Sequence, residues 1–476
     1  MDYAEFVSKS KSMVTAPAGY GKTHAIAECL KYTEGKQLIL THTHAGVASL
    51  KEKIQKQGIT YNQYRVETIE SFAQKYVNAF YCGNDMPAQD NSDAYYPFIR
   101  EKAKKLFKIT PIKDVIKVTY SGLFVDEYQD CTIEQHEFIT ALSDILPTHI
   151  LGDYLQGIFG FKGQKLVDFD KDLADFEKFP DLSEPWRWKE TNPELGESLK
   201  EIRKKLEKRK KIDLNLYRKH IDILQIHEED KYTHASKYNE KIWDLTREDN
   251  FLIMHPESEN LNARKLFLSR FNNVFILVEA IDSKDFYTFS RKFDDVDTTN
   301  VYEVIYELIP KLFNGPTSRN EWFNKNGTKR KIGLNDKKLI EPLKNNIEKL
   351  QRSFSLALIS KTLREIERLP HIKCYRKELF SDLCKALEQA EYKNISVYDS
   401  MKEIRNIKRR VGRKVKGRCI GTTLLTKGLE FDTVAVLDVH KFKCPKNFYV
   451  AITRACRKLI IFTNNKILSP YGFENQ

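Results

Sequence analysis

Short runs of β-branched and large aliphatic residues recur along the chain, separated by stretches whose apolar positions fall at helical spacing. The first third holds "SMVT", "QLILTHT", "GLFVDE" and "THILGD"; later come "NFLIMH", "NVFILV", "RCIGTT", "TVAVLDV" and "KLIIF". Strands alternating with helices build right-handed βαβ units, so the pattern predicts an α/β fold with mostly parallel sheets. The series occurs twice, which predicts two sheets. Residues 76–118 and 291–405 break the alternation and read as helical insertions, the second Lys/Glu-rich as in "EPLKNNIEKLQRSFSLALISKTLREIERL". The charged run "EIRKKLEKRKK" reads as a solvated helix face.

Length agrees with this division, because 476 residues exceed what one hydrophobic core ordinarily organises. The expected arrangement is one sheet domain from 1–75 and 119–190, interrupted by 76–118, and a second from 191–290 and 406–476, interrupted by 291–405. At 41% hydrophobic the chain has enough apolar residues for packed cores, and no run of about 18 apolar residues could span a bilayer. The opening "MDYAEFVSKSKS" lacks the apolar core of a secretory signal, so a cytoplasmic protein is expected. Eight cysteines lie far apart with no C-x-x-C pair, which suggests neither a disulfide framework nor a zinc or iron–sulfur site. A net charge of +13 favours polyanionic partners, since phosphate neutralisation releases counterions.

The chemistry begins at "VTAPAGYGKT". A strand ends at Thr15, and Gly19 and Gly21 allow backbone N–H groups to turn inward where a helix begins at Lys22 and Thr23. An anion there meets unpaired amides and the positive end of the helix dipole, so the loop suits a phosphate. Lys22 is placed to reach the β- and γ-phosphates of ATP, and Thr23 to ligate Mg²⁺. The first position of the strict G-x-x-x-x-G-K-[ST] pattern is Ala16. About a hundred residues on, "GLFVDEYQDCTIEQ" ends an apolar strand in two adjacent carboxylates, which burial penalises unless a cation or a proton transfer uses them. Asp126 suits the magnesium shell and Glu127 the polarisation of an attacking water.

Six ordered segments now match a family. "LTHTHAGVASLKEKI", "VDEYQDCTIEQ", "LGDYLQGIFGFKG", "LSEPWRW", "TKGLEFDTVAV" and "YVAITRA" resemble, in sequence and in order, the motifs of superfamily 1A helicases of the UvrD, Rep and PcrA type. The resemblance implies a P-loop NTPase of two RecA-like parallel-sheet domains with reduced 1B and 2B insertions, ATP in the cleft and single-stranded DNA across the top. It implies that Gln156 senses the γ-phosphate, that Trp186 stacks on adenine, that Glu430 contacts the ribose and that Gly428 lets its loop approach. Arg187 and Arg454 would neutralise charge on the transferring phosphoryl group. Thr43, His44 and Phe161 fall at strand-contacting positions, and Phe161 is a candidate platform for an unpaired base.

Departures from the family's pattern fall mainly on the nucleic-acid side. His42 and His44 replace Phe and Asn, Leu424 replaces a histidine, and the acid at Glu70 should weaken a phosphate contact. No upstream glutamine is present for adenine, and His24 stands where arginine is usual. One compensation is "RNIKRRVGRKVKGR" (405–418), whose eight Lys or Arg, among them Arg409, Arg410 and Lys414, suggest a phosphate-tracking surface or a charged connector. Two readings follow: a DNA-dependent ATPase translocating 3′ to 5′, or an ATP-gated DNA-sensing subunit that regulates a partner nuclease. The compact length also resembles the helicase-like subunit of Gabija-type anti-phage systems, which implies an OLD-type nuclease as partner.

Overall fold

The computed structural model describes residues 1–472 except 90, 159–164, 234, 257–260, 273, 280–282, 315–319, 329–333, 412–414 and 416. The chain divides into two compact units. The first comprises Met1–Ser258, Arg409–Lys416 and Thr422–Gln476; the second comprises Glu259–Lys408 and Gly417–Gly421.

The first unit contains a six-stranded parallel sheet built from β1 (Lys11–Thr15), β2 (Gln37–Thr41), β3 (Tyr64–Thr68), β4 (Gly122–Val125), β5 (Thr148–Gly152) and β6 (Glu177–Phe179). Its order is β3-β2-β4-β5-β1-β6. Successive side chains on a strand point to opposite faces, and both faces here are apolar. Leu38, Leu40, Leu123 and Val125 join one buried cluster with helices Ile69–Phe80, Ser92–Leu106 and Ile133–Ser143. The intervening Ile39 and Phe124 join the other, with helices Lys22–Leu30 and His44–Lys56. This two-sided burial explains why the strands read as continuous apolar runs. Residues 76–118 supply Tyr95, Ile99, Ala103 and Ile116 to the first of these clusters.

Four further parallel strands lie in the same unit: β7 (Asp222–Gln225), β8 (Phe251–Met254), β9 (Phe431–Val436) and β10 (Ala455–Thr463), in the order β8-β9-β10-β7. Helix Pro193–Glu207 starts cleanly because Asn192 accepts from the Leu195 N–H at 3.0 Å and proline occupies the first helical position. The second unit is mainly helical among its described residues, with helices such as Val301–Leu312, Leu356–Glu367 and Lys377–Lys393 around one apolar core, and with the parallel pair Ile276–Leu277 and Arg418–Gly421. The architecture is α/β with two parallel sheets, consistent with two RecA-like domains of a P-loop NTPase. No described helix is long and apolar enough to cross a membrane, and all eight cysteines are free.

Candidate functional site

The carboxyl ends of β1, β2, β4 and β5 open into one cavity of about 360 Å³. This is where an open parallel sheet places its ligands, because the loops leaving neighbouring strands diverge there. Gly19, Gly21, Lys22, Thr23, Thr43, Asp126, Glu127, Gln156, Trp186, Arg187, Gly428, Glu430 and Arg454, all anticipated from sequence, line it.

The loop after β1 is shaped by its glycines. Gly19 and Gly21 hold φ of 78° and 84°, and a Cβ on either would lie 2.6 Å from Trp188 or 2.9 Å from Trp186. No other residue would fit both demands. Gly21 caps helix Lys22–Leu30, directing the first-turn amides and the dipole toward the cavity. Ala16 stands at the buried start of the loop; its N–H donates to Gly152 O (2.8 Å), and its carbonyl accepts from Lys22 Nζ at 3.4 Å. The alanine in place of glycine therefore serves the strand end without blocking the cavity.

Lys22 Nζ also lies 3.3 Å from Glu127 Oε2, and Gln129 donates to the same oxygen at 2.5 Å. Glu127 holds φ of 58°, a left-handed conformation costly for a residue with a side chain, which turns its carboxylate back toward the loop. Burial would raise its pKa, but Lys22 above all, then Lys427, the Gln129 hydrogen bond and Arg454, overcome that and hold it well below the usual carboxylate range. Burial pushes neighbouring Asp126 the other way, and the Glu127 charge adds to the push. Asp126 Oδ1 and Asp130 Oδ1 are both buried without a hydrogen-bond partner. Buried acceptors of this kind cost about 1–3 kcal/mol each unless a cation or donor meets them. The donor set of Thr23 hydroxyl and Asp126 carboxylate is the oxygen chemistry that Mg²⁺ takes, so the residues fit that ion.

Cations close the opposite wall. Arg187 donates to Thr453 O and pairs with Glu430 at 3.0 Å, and its buried Nε has no partner. Arg454 donates from Nε to Val450 O (3.0 Å), from one terminal nitrogen to Leu429 O (3.1 Å) and from the other to Gln156 Oε1 (3.2 Å). Burial, and then Arg187, pull Arg454 down to about 10. Glu430, which the resemblance assigns to a ribose, pairs with Arg187 and with Lys53 at 2.5 Å, and those cations hold it well below the usual range against the effect of burial. Trp186 is 47% exposed over the Gly21 turn; the aromatic filling the core is Trp188, whose indole N–H donates to Ala455 O at 2.7 Å.

Several participants were not singled out in the sequence. Lys427 donates to Asp130 and to the Gln156 carbonyl, joining three quoted motifs at one ammonium. Asp153 is fully buried and accepts from Ala18 N–H at 3.1 Å, Gln156 Nε2 at 2.9 Å and Arg203 at 2.8 Å. Arg203 corrects the reading of residues 201–211 as a solvated face. Ile202, Arg203 and Leu206 form the buried side of helix Pro193–Glu207, and only their neighbours face water.

Of the residues expected to meet nucleic acid, Thr43 caps helix His44–Lys56 by accepting from the Gly46 N–H at 2.9 Å, and His44 opens that helix. Glu70 does not stand as a bare acid against a phosphate backbone: its Oε1 accepts from Arg100 and Gln135, both at 2.8 Å. Phe161 and Lys414, and the side chains of Arg409 and Arg410, lie outside the described residues.

One family model agrees with the phosphate loop. Residues 3–162 match the family model AAA_19, described as an AAA domain. No curated protein matches the chain. Among solved structures, the complex of arterivirus nonstructural protein 10 (helicase) with DNA shares 14% identity over 38% of this chain and 37% of its own, with a TM-score of 0.23. The chain thus spans well under two thirds of that structure. The family match, confined to residues 3–162, and the cavity geometry agree with a P-loop nucleotide-binding fold.

Proposed function

We propose that the protein is a nucleic-acid-dependent ATPase of the UvrD type, which moves along single-stranded DNA, 3′ to 5′ by resemblance, as it hydrolyses ATP. The observation that carries this reading is the convergence on one cavity of Lys22, the Asp126–Glu127 pair and the two arginines. Same-sign groups have been brought close there: Arg187 depresses Arg454, and Glu127 raises Asp126. A magnesium triphosphate relieves both repulsions at once, since its anionic oxygens suit the arginines and its cation suits the acids.

In this reading Lys22 and the loop amides hold the β- and γ-phosphates, and Thr23 with Asp126 would hold Mg²⁺, which supplies charge neutralisation at the phosphoryl group. Gln156 and Arg454 form one unit, so a change felt at the γ-phosphate by either is passed to the other. Glu127 is the acceptor for the proton of the attacking water. While Lys22 lies 3.3 Å from it, its basicity is low. Drawing Lys22 onto a phosphate removes the leading opposite charge and makes Glu127 a better base at the moment it is needed.

The test is phosphate release with and without single-stranded DNA, together with displacement of a protein block from either DNA end. The proposal expects strong stimulation and displacement at one end only. Weak stimulation with no displacement would instead identify a DNA-sensing regulatory subunit.

A further inference from the structure

One end of the cavity is formed by three side chains that phosphate chemistry does not use. Trp186 lies against the Gly21 turn, and the His24 ring stands beside it with centroids 5.6 Å apart and planes tilted by 40°. His24 Nδ1 lies 2.8 Å from Nε2 of Gln57, the residue that closes helix His44–Lys56. All three line the cavity. With the Gln57 amide nitrogen committed to the imidazole as donor, Nδ1 is the acceptor and the imidazole proton sits on Nε2. The Gln57 amide oxygen is left buried with no donor. A buried amide carbonyl costs free energy unless something donates to it, and the cavity is the open side.

We propose that this end of the cavity reads the nucleobase of the triphosphate, and that Gln57 sets the choice by accepting a hydrogen bond from an exocyclic amino group. Trp186 supplies stacking that any base satisfies, so it gives affinity with little discrimination. Gln57 supplies the discrimination. A 6-aminopurine presents a donor to its oxygen, whereas a 6-oxopurine presents a second acceptor, leaving two lone-pair groups opposed and unpaired. His24 keeps the amide in register by holding its nitrogen. The inference rests on the cavity being a nucleoside triphosphate site.

ATP and ITP differ at the six position of the purine, which makes them the matched probes. Affinities are read by competition against a fluorescent triphosphate on the full chain with magnesium. The native protein is expected to prefer ATP over ITP by about tenfold or more, the scale of one hydrogen bond of about 1.4 kcal/mol. Gln57→Ala should erase the preference by weakening ATP while leaving ITP unchanged; Gln57→Glu, which keeps an acceptor, should retain it; Trp186→Ala should weaken both nucleotides alike. Equal native affinities, or an ATP preference that survives in Gln57→Ala, overturn the assignment. A native preference for ITP overturns it too, because the amide would then present its NH₂ to the base. If neither triphosphate binds the native chain, it is the underlying nucleotide site that fails.

Discussion

Buried arginines in the two units have opposite surroundings. Arg376 in the second unit is buried, yet Glu279 at 2.6 Å and Asp285 at 2.5 Å more than offset the cost and raise its pKa. Arg405 nearby is fully buried against Asp382 at 2.6 Å and Glu378 at 3.2 Å, with its guanidinium 3.8 Å above the Phe286 ring. In the first unit Arg454 is as deeply buried, but after burial the strongest influence on it is another arginine, and it is driven down to about 10. The second unit uses buried charge to fix one packing arrangement. The cavity of the first unit keeps like charges close beside its ion pairs, an arrangement that a ligand of opposite charge would complete.

The largest effect that can break this comparison is on turnover. Glu127→Gln should lower ATP hydrolysis about a thousandfold, the range for losing a positioned base, while triphosphate affinity measured by competition stays near native. If hydrolysis is undiminished, the cavity's acids are structural like those of the second unit. Conversely, Arg405→Leu should leave turnover per folded molecule unchanged and cost about 3–5 kcal/mol of unfolding free energy in a denaturant titration, because Asp382 loses its closest cation in a buried setting. A smaller, mixed effect is expected for Arg203→Ala. Asp153 positions both Ala18 N–H and Gln156, so turnover should fall about tenfold to a hundredfold, with nucleotide affinity changing less, as the loss of a charged hydrogen bond suggests.

The smallest effect is on pH dependence. His149 on β5 shares a hydrogen bond with Ser12 Oγ at 2.8 Å, and burial lowers its pKa to about 4. The unfolded chain, with histidine near about 6.5, therefore binds more protons than the folded one between those values. His149 contributes stability that is present above pH 6.5 and lost as pH falls toward 4. Replacing it with Gln should flatten the acid limb of the denaturant midpoint against pH by up to about one proton. An unchanged slope would place the acid sensitivity elsewhere.

Much of the first unit was legible because chemistry constrains it. A phosphate loop needs glycine where φ is positive and Trp188 presses close, and a buried strand ending in Asp126–Glu127 demands a use. The alternation of Leu38, Ile39 and Leu40 between two cores likewise announces a doubly covered strand. Arg203 was hidden by composition: among residues 201–211 most positions are charged, and only the helix's docking decides which one turns inward. Lys427 and Asp153 sat inside quoted motifs, but their partners come from loops far apart in the chain, so spacing carries no signal of them. In the second unit helical spacing announced helices, whereas the choice of partners for Arg376 and Arg405 depends on tertiary packing. The short hairpin of Phe323–Asn324 with Gly327–Thr328 gave no pattern long enough to read.

The most direct test of the central claim is the thermal unfolding midpoint with magnesium and a non-hydrolysable ATP analogue, compared between the native chain and Lys22→Ala. If the cavity's like charges are held for a magnesium triphosphate, the analogue at about a hundred times its Kd adds about 2.7 kcal/mol of stability. The native midpoint should rise by several degrees, and the Lys22→Ala midpoint should barely move at the same concentration. An unmoved native midpoint, or an equal rise in both proteins, would contradict the account.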